Sequence, residues 1–262
     1  MSQSAERTLL LLQAVVHAGR PMGLMEIAEA TGTDKSTATR LLRSLVKHGF
    51  LQRHAVTRQY TAGPALVSLG AAAMKHMDIA RAARGQMEAI FHETTESVTL
   101  HVPVGLDRVC IDGLESTHAL RRGVSLGEVL PMYAGPTGKV IVPHLAAQDR
   151  DKVLARAKAD GVDTARLGRL VELAGRQGHL ALVGDRTPGV GAISVPIFGY
   201  GGVAGSLSVA GPEERWGPDR MAAYAPRMLA ASHAISAMIG GAAGALAALP
   251  PPLPSAEASP LR

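Results

Sequence analysis

Residues 131–140, PMYAGPTGKV, come nearer than any other stretch to a phosphate-binding sequence. A P-loop, G-x-x-x-x-G-K-[ST], needs its first glycine to shape the loop and its final hydroxyl to hold magnesium. Tyr133 stands where that glycine belongs and Val140 where the hydroxyl belongs, so the nucleotide reading fails. What survives is a Gly-Pro turn opening a helix, with free backbone N–H groups at Thr137, Gly138 and Lys139. Such groups attract an anion through unpaired donors and the helix dipole. The alternative, a helix start that binds nothing, stays open on these residues alone.

Other catalytic patterns are missing. There is no G-x-S-x-G elbow, no G-x-G-x-x-G after a strand, and the ten histidines include no H-x-x-x-H pair. Asp107, Asp112 and Glu115 read as isolated surface carboxylates. Cys110, the only cysteine, rules out an internal disulfide and fits a reducing compartment; as a lone thiol in a strand it reads as a buried bystander rather than a nucleophile. The expectation is a chain that is not an enzyme and uses neither metal nor cofactor.

The elements that position these residues follow from composition and periodicity. Of 262 residues, 47% are hydrophobic and 19% charged, which suits a globular chain of one or two domains. The apolar run TLLLLQAVV, residues 8–16, is far short of the ~20 residues of a membrane helix, and no cleavage site follows it. A cytoplasmic protein without membrane contact is expected. The net charge of +5 is concentrated: residues 1–60 hold eight Lys/Arg against four Asp/Glu, and no acidic residue occurs from 35 to 77. This points to a polyanion partner, with a merely solvated basic face as the alternative.

Within that basic quarter, residues 5–18 read as a helix with Leu9, Leu12 and Val16 on one face, and residues 24–30 as a short second helix. TGTD is a turn in which Thr33 or Asp34 can cap a third helix over 35–48. There Ala38, Leu41, Leu42, Leu45 and Val46 fall on the core side, while Ser36, Arg40, Arg43 and Lys47 lie opposite, flanked by Thr37, Thr39 and Ser44. A short helix, a tight turn and a helix with cations and hydroxyls outward describe a helix-turn-helix. Strands at 50–54 and 59–61 then form a wing carrying Arg53 and Arg58. The expected contacts to double-stranded DNA are Lys35, Ser36, Thr37, Thr39, Arg40, Arg43, Lys47, Arg53 and Arg58.

The second half reads as α+β with an antiparallel sheet. A helical stretch over 64–94, broken near Asp78, precedes strands at 97–103 and 107–114, helices at 136–146, 149–159 and 163–177, strands at 190–198 and 203–210, and a closing helix at 218–239. In the late hairpin Gly191, Ile193, Val195 and Ile197 point one way, and Ala192, Ser194 and Pro196 the other; Leu207 and Val209 oppose Ser206, Ser208 and Ala210. One face is apolar and the other is lined by very small side chains. That face encloses space, or else is covered by close helix packing or water. The last residues, 241–262, are Ala/Pro-rich and read as a disordered tail.

The segment MEIAEATGTDKSTATRLLRSLVKHGFLQR with YTAGPALVSLG resembles the winged-helix part of IclR-type bacterial transcriptional regulators. LPMYAGPTGKVIV, TPGVGAISVPIF and GGVAGSLSVAGP resemble that family's second half in order and spacing, so the resemblance covers about residues 4–240. Asp34 departs from the proline usual there. The resemblance implies a winged helix-turn-helix at 1–63, a linker helix at 64–80 and a GAF-like effector-binding domain at 81–240, with a ligand between the sheet and the loop opening the "GK" helix. In members that bind glyoxylate or pyruvate, Gly-Ala amides, an Asp, a Cys and two Ser face the ligand. The matching positions here are Gly135 and Pro136, Leu182, Ala192, Ser208 and Ala210, so only the glycine and one serine are kept.

These losses imply few partners for a compact keto acid and favour a larger acid, aromatic or otherwise apolar. Its expected site is Tyr133, Gly135, Pro136, Thr137, Gly138, Leu182, Ala192, Ser194, Ser208 and Ala210, with the Thr137, Gly138 and Lys139 amides at its anionic end. The function expected is a ligand-responsive, DNA-binding repressor acting as a homodimer, with a tetramer as the larger assembly. The alternative is an architectural DNA-binding protein that needs no ligand.

Overall fold

The computed structural model describes residues 3–75 and 77–241, and the chain divides into two units, residues 1–77 and 78–262. Apart from Gly241, the tail expected from residue 241 lies outside the described residues.

The first unit holds α1 (Gln3–His17), α2 (Leu24–Ala30), α3 (Lys35–Lys47), the hairpin β1 (Leu51–Arg53) and β2 (Tyr60–Ala62), and α4 (Pro64–Lys75). Asp34 is the N-cap of α3: its carboxylate accepts the Thr37 amide at 2.9 Å and the Ser36 hydroxyl at 2.7 Å. Leu41, Leu42 and Leu45 pack with Ile27 and with Leu11 and Val15 of α1. Leu12 of the expected α1 face packs against this core, but the other two residues of that face are corrected. Leu9 is 59% exposed and Val16 37%, while Leu11 and Val15 are buried. The run is apolar all round, so its periodicity could not choose a face; packing against α3 did. The first wing strand is one residue shorter at each end than expected and the second begins and ends one residue later, pairing Leu51 with Ala62 and Arg53 with Tyr60.

The second unit runs α5 (Asp78–Thr94), β3 (Ser97–Val104), β4 (Asp107–Leu114), β5 (Val129–Pro131), α6 (Gly135–Lys139), a 3-10 turn (Val142–His144), α7 (Ala147–Ala159), α8 (Thr164–Gln177), β6 (Leu180–Val183), β7 (Val190–Gly199), β8 (Gly202–Pro212) and α9 (Pro218–Met238). The strands form one antiparallel sheet in the order β5-β4-β3-β8-β7-β6. Strands β5 and β6 escaped the sequence reading because three or four residues are too few to show alternation. The helix expected over 136–146 stops at Lys139. Pro143 has no N–H to donate and its ring crowds the carbonyl four residues back, so the chain tightens into the 3-10 turn.

The apolar sheet face, with Ile193, Val195, Leu207 and Val209 all fully buried, looks toward α5 and α9. Gly191 shows how close that packing is: a β-carbon there would meet the Trp216 carbonyl oxygen at 2.0 Å. The opposite face carries α6, held by Gly138, whose β-carbon would fall 2.2 Å from the Met132 carbonyl oxygen. Among the described residues no helix is long and apolar enough to cross a membrane.

Candidate functional site

On the first unit, Lys35, Ser36, Thr39, Arg40 and Arg43 line one shallow groove on the outer side of α3. Arg40, Arg43 and Lys47 are exposed, with no carboxylate partner among the described residues, because the leucine stripe opposite fixes the roll of the helix. Two hydroxyls are already engaged: Ser36 donates to the Asp34 cap, and Thr39 back-bonds to the Lys35 carbonyl at 2.7 Å. Thr37 is only partly exposed. Both wing arginines are exposed. Arg53 lies over the Tyr60 ring and donates to the Arg58 carbonyl, and Arg58 adopts φ 57° at the tip of the turn.

In the second unit the small-residue face of the sheet and the N-terminal end of α6 enclose a cavity of about 70 Å³. Gly135, Pro136, Thr137, Leu182, Ala192, Ser208 and Ala210 line it, so seven of the ten residues expected at the ligand are brought together. The sheet register explains this: Leu182 pairs with Ala192, and Ala192 with Ala210. Three expected residues are placed elsewhere. Tyr133 turns toward α7, where its hydroxyl donates to Asp160. Gly138 backs onto Met132. Ser194 is fully buried behind the lining, bonded to Ser208 at 2.9 Å and to Thr137 at 3.2 Å. Lys139 does not line the cavity itself but forms a buried ion pair with Asp185, a lining residue that Arg166 also approaches at 3.5 Å.

The residues that sequence reasoning missed are the charged ones. Arg108, Arg122 and Arg186 line the cavity with His101, Cys110, Glu128 and Asp185. Strand β3 pairs with β8, setting Thr99 beside Ser208 and His101 beside Ser206, and β4 then adds Cys110 and Arg108 to the same face. The polar alternation Ser97, Thr99, His101 was visible in the sequence, but only the pairing of β3 with β8 joins it to the late hairpin. The idea that this face offers an acid few polar partners therefore does not hold for the cavity as a whole.

Charge there is unevenly compensated. Arg122 and Arg186 share Glu128. Burial, followed by repulsion from Arg186, pulls Arg108 down to about 10. Burial, followed by Arg108, Arg186 and Arg122, pulls His101 down to about 3, so its ring is neutral near pH 7. Burial pushes the Cys110 thiol up to about 11, the opposite of an activated nucleophile.

Comparison with known proteins fits both halves. The IclR helix-turn-helix domain matches residues 4–55, and the bacterial transcriptional regulator IclR C-terminal domain matches residues 71–237. The regulator KdgR of Escherichia coli is 28% identical over 233 residues, spanning 84% of this chain and 87% of that protein. The transcriptional repressor IclR of the same organism is 23% identical over 248 residues, 91% and 90% of the two chains. An IclR-family regulator from Brucella abortus, 21% identical, shares the fold with a TM-score of 0.80 over 90% of this chain and 92% of its own. These domains and relatives are transcriptional regulators, not enzymes, and the chain belongs to the IclR family of DNA-binding, ligand-responsive transcriptional regulators.

Proposed function

We propose that this regulator works in the cytoplasm as a homodimeric repressor, reading its operator with α3 and the wing, and that a small organic acid in the α6 cavity changes its grip on DNA. The cavity carries the ligand half of this reading: its lining combines the guanidinium groups of Arg108, Arg122 and Arg186 with the small and apolar side chains of Leu182, Ala192 and Ala210. Polar groups converging on one concave space beside apolar walls are what fixes a small molecule's orientation. An architectural protein that needs no ligand has no use for three arginines around an internal space. The volume favours a compact acid, since a dry cavity that admits benzene measures ~150 Å³; an aromatic ring needs the lining at 122–125 and 185–187 to give way.

The DNA half rests on the unpaired cations of α3. One recognition helix reads only a few base pairs, and half-sites a helical turn apart need two. Val67 and Leu69 on α4, at 76% and 55% exposure, and Leu9 on α1 offer apolar surface for joining two first units.

The test is a mobility shift of a promoter fragment with and without acetate, glyoxylate, pyruvate, benzoate and 4-hydroxybenzoate, paired with thermal melts. Ala192→Leu adds bulk to the cavity wall. It should abolish the acid response while leaving a folded, DNA-binding protein. A variant that still responds normally would sink the cavity reading. A large drop in melting temperature without ligand, typically ~1–3 kcal/mol for overpacking, would mean that this face is closed core.

A further inference from the structure

Arg108 differs from every other cation around the cavity. It is 2% exposed and makes no ion pair among the described residues, whereas Arg122 and Arg186 share Glu128 and Asp185 is held by Lys139 and Arg166. Its Nη1 donates to the Pro131 carbonyl at 2.7 Å. Its Nε is buried without a hydrogen-bond partner. The Nη2 group lies near Gly135, where a β-carbon would sit 3.8 Å from it. The edge left free is thus the Nε–Nη2 side, which accepts a carboxylate side-on through two parallel N–H···O bonds. A buried cation without a direct ion-pair partner is costly, and Glu128 and Asp107 favour its charge only from beyond ion-pair distance.

We propose that Arg108 is the carboxylate anchor of the effector site, binding a monocarboxylic acid side-on and directing its body toward Leu182, Ala192 and Ala210. The assignment rests on the cavity being the effector site. It moves the acid end away from the α6 amides, where the sequence had placed it, to strand β4. Two of those three amides belong to residues that do not line the cavity, Gly138 and Lys139. It also implies discrimination by charge: an acid brings the missing anion to a desolvated guanidinium, while its amide, similar in shape, brings none.

Calorimetry and thermal melts of the full chain decide this, using acetate, propionate and benzoate against acetamide, propionamide and benzamide at matched ionic strength. Acids should raise the melting midpoint of the wild type saturably, and the amides should not. Arg108→Met should melt at or above the wild type without ligand and lose the response. Arg108→Lys, which keeps the charge but not the fork, should bind acids about tenfold to a hundredfold more weakly, and it decides the matter if the Met variant does not fold. The assignment is overturned if amides bind as well as acids, if the lysine variant keeps full affinity, or if no acid shifts the wild type. Ala192→Leu separates the two readings. If it blocks acids that the Arg108 variants still bind, the cavity stands and the anchor falls; if it binds acids normally, both fall.

Discussion

Arg40 and Arg108 are both arginines without a carboxylate partner, and their surroundings give them opposite consequences. Arg40 stands in water on the outer side of α3, where a free guanidinium costs nothing and stays available to a base edge or a phosphate. Arg40→Ala should therefore weaken specific operator binding by roughly 1–3 kcal/mol with no change in melting temperature. Unchanged affinity in a mobility shift would show that this side of α3 does not face DNA. His101, inside the cavity wall among Arg108, Arg122 and Arg186, makes a pH-dependent contribution. Its folded-state value of about 3 lies below its ordinary 6.5, so the unfolded chain binds the extra proton between those limits. Stability from this group is complete above 6.5 and drains away as pH falls toward 3, by up to about 1.4 kcal/mol per pH unit. Denaturant melts across that window should show a flatter acid limb in His101→Gln than in the wild type.

At the scale of elements, α6 is only five residues long and cannot hold itself in place. Three contacts seat it: Gly138 against the Met132 backbone, Thr137 on Ser194, and Lys139 on Asp185 at the end of β6. The ion pair is almost wholly enclosed, with side-chain exposures of 5% and 6%. Removing one partner from such a pair leaves a buried charge, which typically costs ~3–5 kcal/mol. Asp185→Asn should lower stability on that scale in chemical denaturation. A loss below about 1 kcal/mol, the range of a solvated surface pair, would mean that water reaches Lys139.

For the whole molecule, the exposed apolar residues of the first unit bear on assembly. Val67 and Leu69 lie on a helix with none of its described side chains buried, and Leu9 and Leu10 lie on the side of α1 turned away from its core. Glutamate at both Val67 and Leu69 touches no packed core, so the monomer's melting temperature should hold. If these residues join two copies, light scattering should show the dimer of the wild type falling apart in the variant. Operator affinity should drop with it, since half-sites would be bound singly. A variant that stays dimeric would move the interface elsewhere.

Much of this protein was legible in the residues themselves. The helix-turn-helix could be read because α3 is amphipathic, so one pattern states both its core side and its outward side. The late hairpin could be read because alternation in β7 and β8 is a local property of each strand. Where a local pattern was degenerate, the tertiary structure decided. The run Leu9–Leu12 is apolar on every side, so only packing could bury Leu11 and expose Leu9. Serines and alanines facing one way say that a wall is small but not what stands opposite. The cations of the cavity arrive because β3 pairs with β8 across a hundred residues of chain, a contact that no periodicity within either strand can announce. Side-chain spacing determines which face a residue joins; strand order determines which other residues share that face, and that is a property of the folded sheet.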